Sequence, residues 1–431
     1  MSALSKFLLL EGCAVSGYDE VRGEQTEDLL LNGVRVSFEK EKVENELFEA
    51  DVVVYSDAIK EDDIRLRVAR EIGKLVVRRV ELLSSVCQSF PHSLAIAGSH
   101  GKTTCTAMCA HVFDKAGVPF AAHIGGEDAK FGNFYLKGDR KVGYFVTEAC
   151  EYKKNMLDLS VERAVLLNVD RDHMECYESE EDLTRSFYRY CQKAEEAFVN
   201  ADDEKCVRFS RKFTTFGIEN PHCDYRGVSL RSSGEKYSFT VQEYGKSVAR
   251  IRLQAAGRCH VYNALAAFAA ARSYGFSERE IAEGLESFSA VKRRFENIGD
   301  LGGVPVVCDY AHHPRELAAT LKTAQKICRG NLYVVFQPHT YSRTRLLMEE
   351  FVRVLRPVQN LMIYKTYPAR EFFDEAGSAK TLSESVGNCL YGESIKQLKT
   401  WLKTSLKSGD AVLFLGAGDI YYAAHYLVAE W

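Results

Sequence analysis

Short runs of β-branched and aliphatic residues alternate along this chain with segments whose apolar positions recur every three or four residues. That alternation marks parallel α/β units, in which each strand is followed by a crossover helix. Three stretches carry it. The first covers roughly residues 1–90, with strands expected at 14–16 and 51–55, and closes in the loop around Ser89, Phe90 and Pro91. The second, about 91–289, opens with a strand at 94–97 and continues through strands at 143–147 and 164–167. The third, about 290–431, has strands at 304–308, 332–336 and 411–415, which stop at Asp309, Gln337 and Gly416. Ligands of open parallel sheets collect outside the carboxyl ends of strands, so the third stretch reads as a binding domain.

A length of 431 residues exceeds one ordinary core, which suits two or three domains, and 46% hydrophobic with 27% charged residues excludes a disordered chain. The formal net charge of -4 lacks the basic excess of a nucleic-acid binder, so no nucleic-acid partner is expected. Local clusters such as Lys292, Arg293 and Arg294 still suit a small anion. The thirteen cysteines are odd in number, scattered, and often inside apolar patterns, as Cys105 and Cys109 are; reduced thiols in a cytoplasm are expected. The apolar run 7–10 is too short for a signal segment, and no stretch is apolar enough to cross a membrane.

Candidate chemistry gathers at the expected strand ends. The segment GSHGKTT, residues 98–104, lies between a strand and a helix whose Cys105, Met108, Cys109, Val112 and Phe113 share one face, and Gly117 can end that helix. Free N–H groups and the positive end of the dipole favour phosphate there. Lys102 can reach the β and γ groups, and the Thr103 hydroxyl can hold magnesium. Ile96 stands where the longer form of this loop has its first glycine, so the loop is a shortened variant. Glu148, directly after the strand 143–147, is the first candidate for a further magnesium ligand, and Glu151 a poorer one. In NVDRDH, Asn168 and His173 reach the same sheet edge, where imidazole can meet a metal or a phosphoryl group. Asn263, in the helical run HVYNALAAFAAA, can offer its amide to an adenine edge. Arg293, Arg294, His339, Arg343 and Arg345 lie close to strand ends, and a guanidinium matches phosphate or carboxylate in bidentate fashion. DYAHHP, residues 309–314, packs a carboxylate, a phenol and two histidines into six positions; adjacent histidines with no third ligand at familiar spacing argue against zinc. Taken singly, a strand-end glutamate or histidine is ordinarily structural and a charge cluster ordinarily solvated.

In this order, GSHGKTT, TEACE, NVDRDH, YNALAA, RRFE, DYAHHP, FQPHTYSRT and GAGDI resemble the Mur ligases of peptidoglycan synthesis over nearly the whole chain. The resemblance implies an α/β protein of three domains: a Rossmann-like N-terminal domain for the UDP part (1–90, truncated), a central P-loop ATPase domain with a mainly parallel sheet (91–289), and a Rossmann-like C-terminal domain for the amino acid (290–431). FQPHTYSRT with DYAHHP is most similar to members that join L-alanine to UDP-N-acetylmuramate. A sibling activity adding murein tripeptide, or a non-catalytic nucleotide-binding paralogue, are the alternatives. The family mechanism activates a carboxylate with ATP as an acyl phosphate, which an amine then attacks. By the resemblance, Gly98, Ser99, His100, Gly101, Lys102, Thr103, Thr104, Asn263 and Arg294 bind ATP. Thr103 and Glu148 hold one magnesium ion, and His173 serves a second. Tyr310, His312, His339 and Arg343 surround the reacting ends, with Arg343 on the alanine carboxylate, while Asp19 and Ser56 belong to the sugar-nucleotide side. Lys102, His173, His312, His339 and Arg343 form the catalytic set, in a bacterial cytoplasm.

Two departures matter. The family opens with a strand and a turn of the form G-x-G-G-x-G, ahead of a segment like MSALSKFLLLEG, whereas this chain begins at that methionine. The expectation is a recorded start that lies too late, set against a product that binds its nucleotide poorly, with a parallel neighbour left unpaired. In GRCHVYN, Cys259 and His260 replace the family's histidine and asparagine.

Overall fold

The computed structural model describes residues 1–39, 43–233 and 236–431. The chain forms two compact units. One comprises Met1–Ser229, Phe239–Ile251 and Tyr262–Phe288, the other Leu230–Ser238, Arg252–Val261 and Ser289–Trp431.

The first unit is organised by a ten-stranded sheet. Strand His92–Ala97 lies at its centre, parallel to Tyr144–Glu148 on one side and to Arg163–Leu166 on the other. The middles of these strands are apolar and buried, as expected where both faces are covered. Helix Lys102–Lys115 follows the central strand. Its alanines, threonines and cysteines are buried on every side, not only along the one face that its periodicity suggests. Helix Glu278–Ser287 explains this: Gly284 comes so close that a Cβ there would lie 2.5 Å from the Val112 Cα. Three long strands, Tyr225–Ser233, Lys236–Glu243 and Lys246–Ala256, extend the sheet at one edge. They lie outside the strands expected from the apolar runs.

Toward the N-terminus, Ser16–Tyr18 pairs in parallel with Arg35–Ser37, and Val52–Tyr55 with Leu75–Arg78. These are two separate pairs, and the first strand sits two residues later than expected. Helix Ser2–Leu10 buries Leu4 and Phe7 in the same apolar cluster as Val80, Leu83 and Phe145.

In the second unit a six-stranded sheet runs Glu296–Leu301, Val304–Asp309, Ala411–Leu415, Leu332–Phe336, Asn360–Tyr364, Leu390–Gly392. Only the first pair is antiparallel. One apolar cluster, around Leu317, Phe351 and Leu382, covers one face; another, around Leu398, Leu402 and Leu427, covers the opposite face. All three strand ends read from the sequence as ligand-facing, at Asp309, Gln337 and Gly416, therefore fall on neighbouring parallel strands. Thirteen cysteines are present and all are free thiols. No helix among the described residues is long and apolar enough to cross a membrane.

Candidate active site

Beyond Ala97 the chain turns through two glycines in left-handed conformations, Gly98 (φ 140°) and Gly101 (φ 88°), before Lys102 starts the helix. Any other residue would be strained at either, and the space is tight. A Cβ on Gly98 would lie 3.1 Å from the Leu167 Cβ and 3.2 Å from the Asn168 nitrogen; one on Gly101 would lie 2.8 Å from the Asn263 Oδ1. The loop is tied to the end of the neighbouring strand. Asn168 Oδ1 accepts from the His100 N–H (2.8 Å) and its Nδ2 donates to the His100 carbonyl (2.9 Å). The Ser99 N–H donates to the Asn168 carbonyl (3.2 Å), and Ser99 Oγ accepts from the Asp170 N–H (2.9 Å). With the Ser99 and His100 amides engaged, the N–H groups of residues 101–104 form the orphan set at the helix N-terminus, the arrangement that receives a phosphate.

Lys102 Nζ donates to the Gly98 carbonyl at 2.6 Å, and lies 2.9 Å from both carboxylate oxygens of Glu151. Burial alone would drag the lysine pKa down, yet the field of Glu151, with Cys150 and Glu148 adding to it, leaves it raised above 10.5; the ammonium is retained. Glu151 is 2% exposed, and Tyr177 donates its hydroxyl to the Glu151 carbonyl at 2.5 Å. Glu151, expected from the sequence to be the poorer magnesium ligand of the two acids, is the one that lies against Lys102. Its signal was the second acid of TEACE, three residues beyond Glu148.

Glu148 ends its strand and accepts the Gly125 N–H at 2.6 Å. Gly125 has to be glycine for this approach, since a Cβ would lie 2.4 Å and 2.6 Å from the two carboxylate oxygens. A second acidic group joins Glu151, Asp172 and His173, whose ligand atoms lie within 4.8 Å of one another. Glu151 Oε2, buried, faces the Lys102 ammonium at 2.9 Å, and His173 is held in a left-handed backbone (φ 52°). Two buried carboxylates beside an imidazole make a donor set that suits a divalent cation. Asp172 escaped the sequence reading although it stands in NVDRDH, directly before the histidine.

The second unit holds another cluster. Arg293 (φ 62°) and Phe295 (φ 49°) take left-handed conformations that bring the Phe295 N–H to Asp309 Oδ2 at 2.7 Å. Burial raises the Asp309 pKa, with Arg294 opposing. The guanidiniums of Arg293 and Arg294 each lie 4.9 Å from the Tyr310 ring centroid. His312 donates through Nδ1–H to the Tyr310 carbonyl (2.9 Å), its ring 5.8 Å from that of His339. His339 stacks on Tyr367 and meets Arg343 Nη1 at 3.2 Å. Buried Gln337 fixes this edge by donating to Asp419 Oδ1 (2.7 Å) and accepting the Ile420 N–H (3.0 Å).

Tyr310, His312, His339, Arg343 and Arg294 thus stand together, while Arg345 turns away to an exposed pair with Asp374. Gly98, Ser99, His100, Gly101, Lys102, Thr103 and Thr104 form one loop, and Asn263, 5% exposed, presents its amide to Gly101. Asp19 and Ser56 follow the first strands of separate N-terminal pairs. In the departing segment GRCHVYN, burial first and the Arg294 field second hold His260 down to about 4, a neutral ring.

The phosphate loop and acidic centre of the first unit are the equipment of a nucleotide-phosphate binder, and the second unit carries a basic and imidazole cluster of its own. Three family descriptions match: Mur ligase family, catalytic domain over residues 1–91, Mur ligase middle domain over 96–271, and Mur ligase, glutamate ligase domain over 293–418. The chain belongs to the Mur ligase family. It is 34% identical to the UDP-N-acetylmuramate–L-alanine ligase of Clostridium acetobutylicum, over 98% of this chain and 93% of that one, and equally to that of Clostridium novyi. The solved UDP-N-acetylmuramate-alanine ligase of Thermotoga maritima superimposes with a TM-score of 0.82 at 26% identity, covering 100% of this chain and 96% of that one. A murein peptide ligase from Psychrobacter arcticus gives 0.75 at 22%, with the same coverage, a likeness of fold.

Proposed function

We propose that this chain ligates L-alanine to the lactyl carboxylate of UDP-N-acetylmuramate at the expense of ATP, in the cytoplasm, as a step toward peptidoglycan. The observation that carries this reading is the buried Lys102–Glu151 pair at the base of a helix-terminal phosphate loop, with Glu148, Asp172 and His173 around it. A carboxylate is a poor electrophile. Its oxygen attacks the γ-phosphorus of ATP, the bond to the β,γ-bridging oxygen breaks, ADP leaves, and an acyl phosphate forms. The alanine amine then attacks the acyl carbon through a tetrahedral intermediate, loses a proton, and expels phosphate.

The protein's work in both steps is positioning and neutralising charge. Amides of residues 101–104 receive the phosphates, and Lys102 meets the charge that builds on the transferring group. Thr103 with Glu148, and His173 with Glu151 and Asp172, would hold magnesium ions, which supply charge neutralisation at the phosphoryl oxygens. Asn263 and Arg294 serve ATP, and Asp19 and Ser56 the sugar nucleotide. In the second unit Arg343 takes the alanine carboxylate, and Tyr310, His312 and His339 line the amine's approach. On this reading residues 1–90, 91–289 and 290–431 divide the labour among sugar nucleotide, ATP and amino acid.

Phosphate release by the purified chain with ATP, UDP-N-acetylmuramate, L-alanine and magnesium, compared with omission of each, tests the proposal. Release should need all of them. Turnover without the sugar nucleotide, or with murein tripeptide in preference to L-alanine, would overturn it.

A further inference from the structure

The chain after Glu151 does something costly. Lys153 (φ 50°) and Lys154 (φ 58°) occupy the left-handed region in succession, without a glycine between them. Strain of this kind persists only where surrounding contacts over-determine it, and here they point one way. Lys153 Nζ donates to the Asp57 carbonyl (3.1 Å), and Asn155 Nδ2 donates to Asp57 Oδ2 at 2.6 Å. Three residues on, Asp158 pairs with Arg78 at 3.0 Å. Asn155 is 3% exposed and its Oδ1 makes no hydrogen bond, so among its side-chain atoms only Nδ2 has a hydrogen-bonding role, and that role is to hold Asp57.

Asp57 directly follows Ser56 at the end of strand Val52–Tyr55, while Asn155 belongs to the segment that starts at Glu151. We infer that Asp57 and Asn155 are positioning residues for the ligation: their hydrogen bond fixes the loop on the sugar-nucleotide side against the segment carrying the carboxylates of the phosphoryl-transfer centre. The inference rests on the reading of Ser56 and Glu151 given above. It assigns the strained turn a purpose, since the left-handed pair Lys153–Lys154 directly precedes Asn155, whose amide meets that carboxylate. In-line transfer needs the acceptor carboxylate and the γ-phosphate in register, and an error of about 1 Å there can cost on the order of 100-fold in rate.

The test exchanges donor and acceptor. Asn155→Asp sets a second carboxylate against Asp57 across a 2.6 Å contact. It should lower kcat roughly 10- to 100-fold while leaving KM for ATP within about twofold, because the phosphate loop is untouched. The double variant Asp57→Asn, Asn155→Asp restores one N–H donor facing one oxygen, and should recover kcat to within about threefold of the parent. Asp57→Asn alone keeps an oxygen that can accept from Asn155 and should stay near the parent; Asp57→Ala should not. This second pair decides the matter should Asn155→Asp fail to fold. Unchanged kcat in Asn155→Asp, a double variant no better than that single one, or equal behaviour of Asp57→Asn and Asp57→Ala would overturn the inference. An inactive parent chain would instead count against the proposed reaction.

Discussion

Deleting the carboxylate of Glu151 should destabilise the protein by about 3 kcal/mol, and the site geometry sets that figure. The Lys102 and Glu151 side chains are 15% and 3% exposed, so water does little to solvate either charge. Removing one member of a buried pair costs ~3–5 kcal/mol, mostly because the survivor stays charged and uncompensated. Lys102 keeps the Gly98 carbonyl at 2.6 Å and the Ser99 carbonyl at 3.3 Å, which puts Glu151→Ala at the lower end of that range. Glu151→Gln retains an oxygen acceptor in the same volume and should lose about half as much. Urea denaturation at constant m measures both, and a cycle with Lys102→Met isolates the coupling. The sign with pH follows from the raised lysine pKa. The lysine's part of the contribution is complete below 10.5 and fades only as pH climbs through the higher folded value, so the deficit of Glu151→Ala should be flat across about pH 7 to 9. A loss under about 0.5 kcal/mol for Glu151→Ala, or a deficit as large in Glu151→Gln, would refute the claim that this pair is buried and charged.

Gly125→Ala should fold normally, because the intruding Cβ meets the movable end of Glu148, but it should raise the magnesium concentration needed for half-maximal turnover by about tenfold; an unchanged magnesium curve would remove Glu148 from the metal assignment. Gly284→Ala, with a Cβ 2.5 Å from backbone, should cost about 2 kcal/mol in the same denaturation assay. Burial first, then the Arg79 guanidinium, hold His123 down to about 3, so the folded chain keeps it neutral while the unfolded chain gains a proton below 6.5. Stability should therefore fall by about 1 kcal/mol per pH unit as pH drops from 6.5 toward 4, and His123→Asn should flatten that slope. Arg343→Lys should raise KM for L-alanine more than tenfold, roughly, with KM for ATP unchanged, since an ammonium cannot reproduce a bidentate fork.

Much of the fold could be read directly from patterning. The strands Leu332–Phe336 and Ala411–Leu415 fall where the apolar runs place them, because parallel strands covered on both faces are apolar throughout. Helix Lys102–Lys115 was legible from its period and its glycines, though not its burial on all sides, which is imposed by Gly284 on a helix far along the chain. The strands between 225 and 256 were missed because partly exposed sheet edges carry weak alternation.

By itself the sequence determined the chemical vocabulary of the site: a glycine turn ahead of a helix, a lysine within it, and acids, histidines and arginines at strand ends. Those features are local, set by backbone conformations that only glycine accepts cheaply and by the two periodicities of the chain. Tertiary structure alone decided the partners. Glu151 rather than solvent meets Lys102, Asn168 clasps the loop 68 residues away, Asp172 joins His173, and Asn155 reaches back 98 residues to Asp57. Such pairings depend on which strands lie side by side in the sheet, and strand order is a property of the packed chain that spacing along the sequence does not encode.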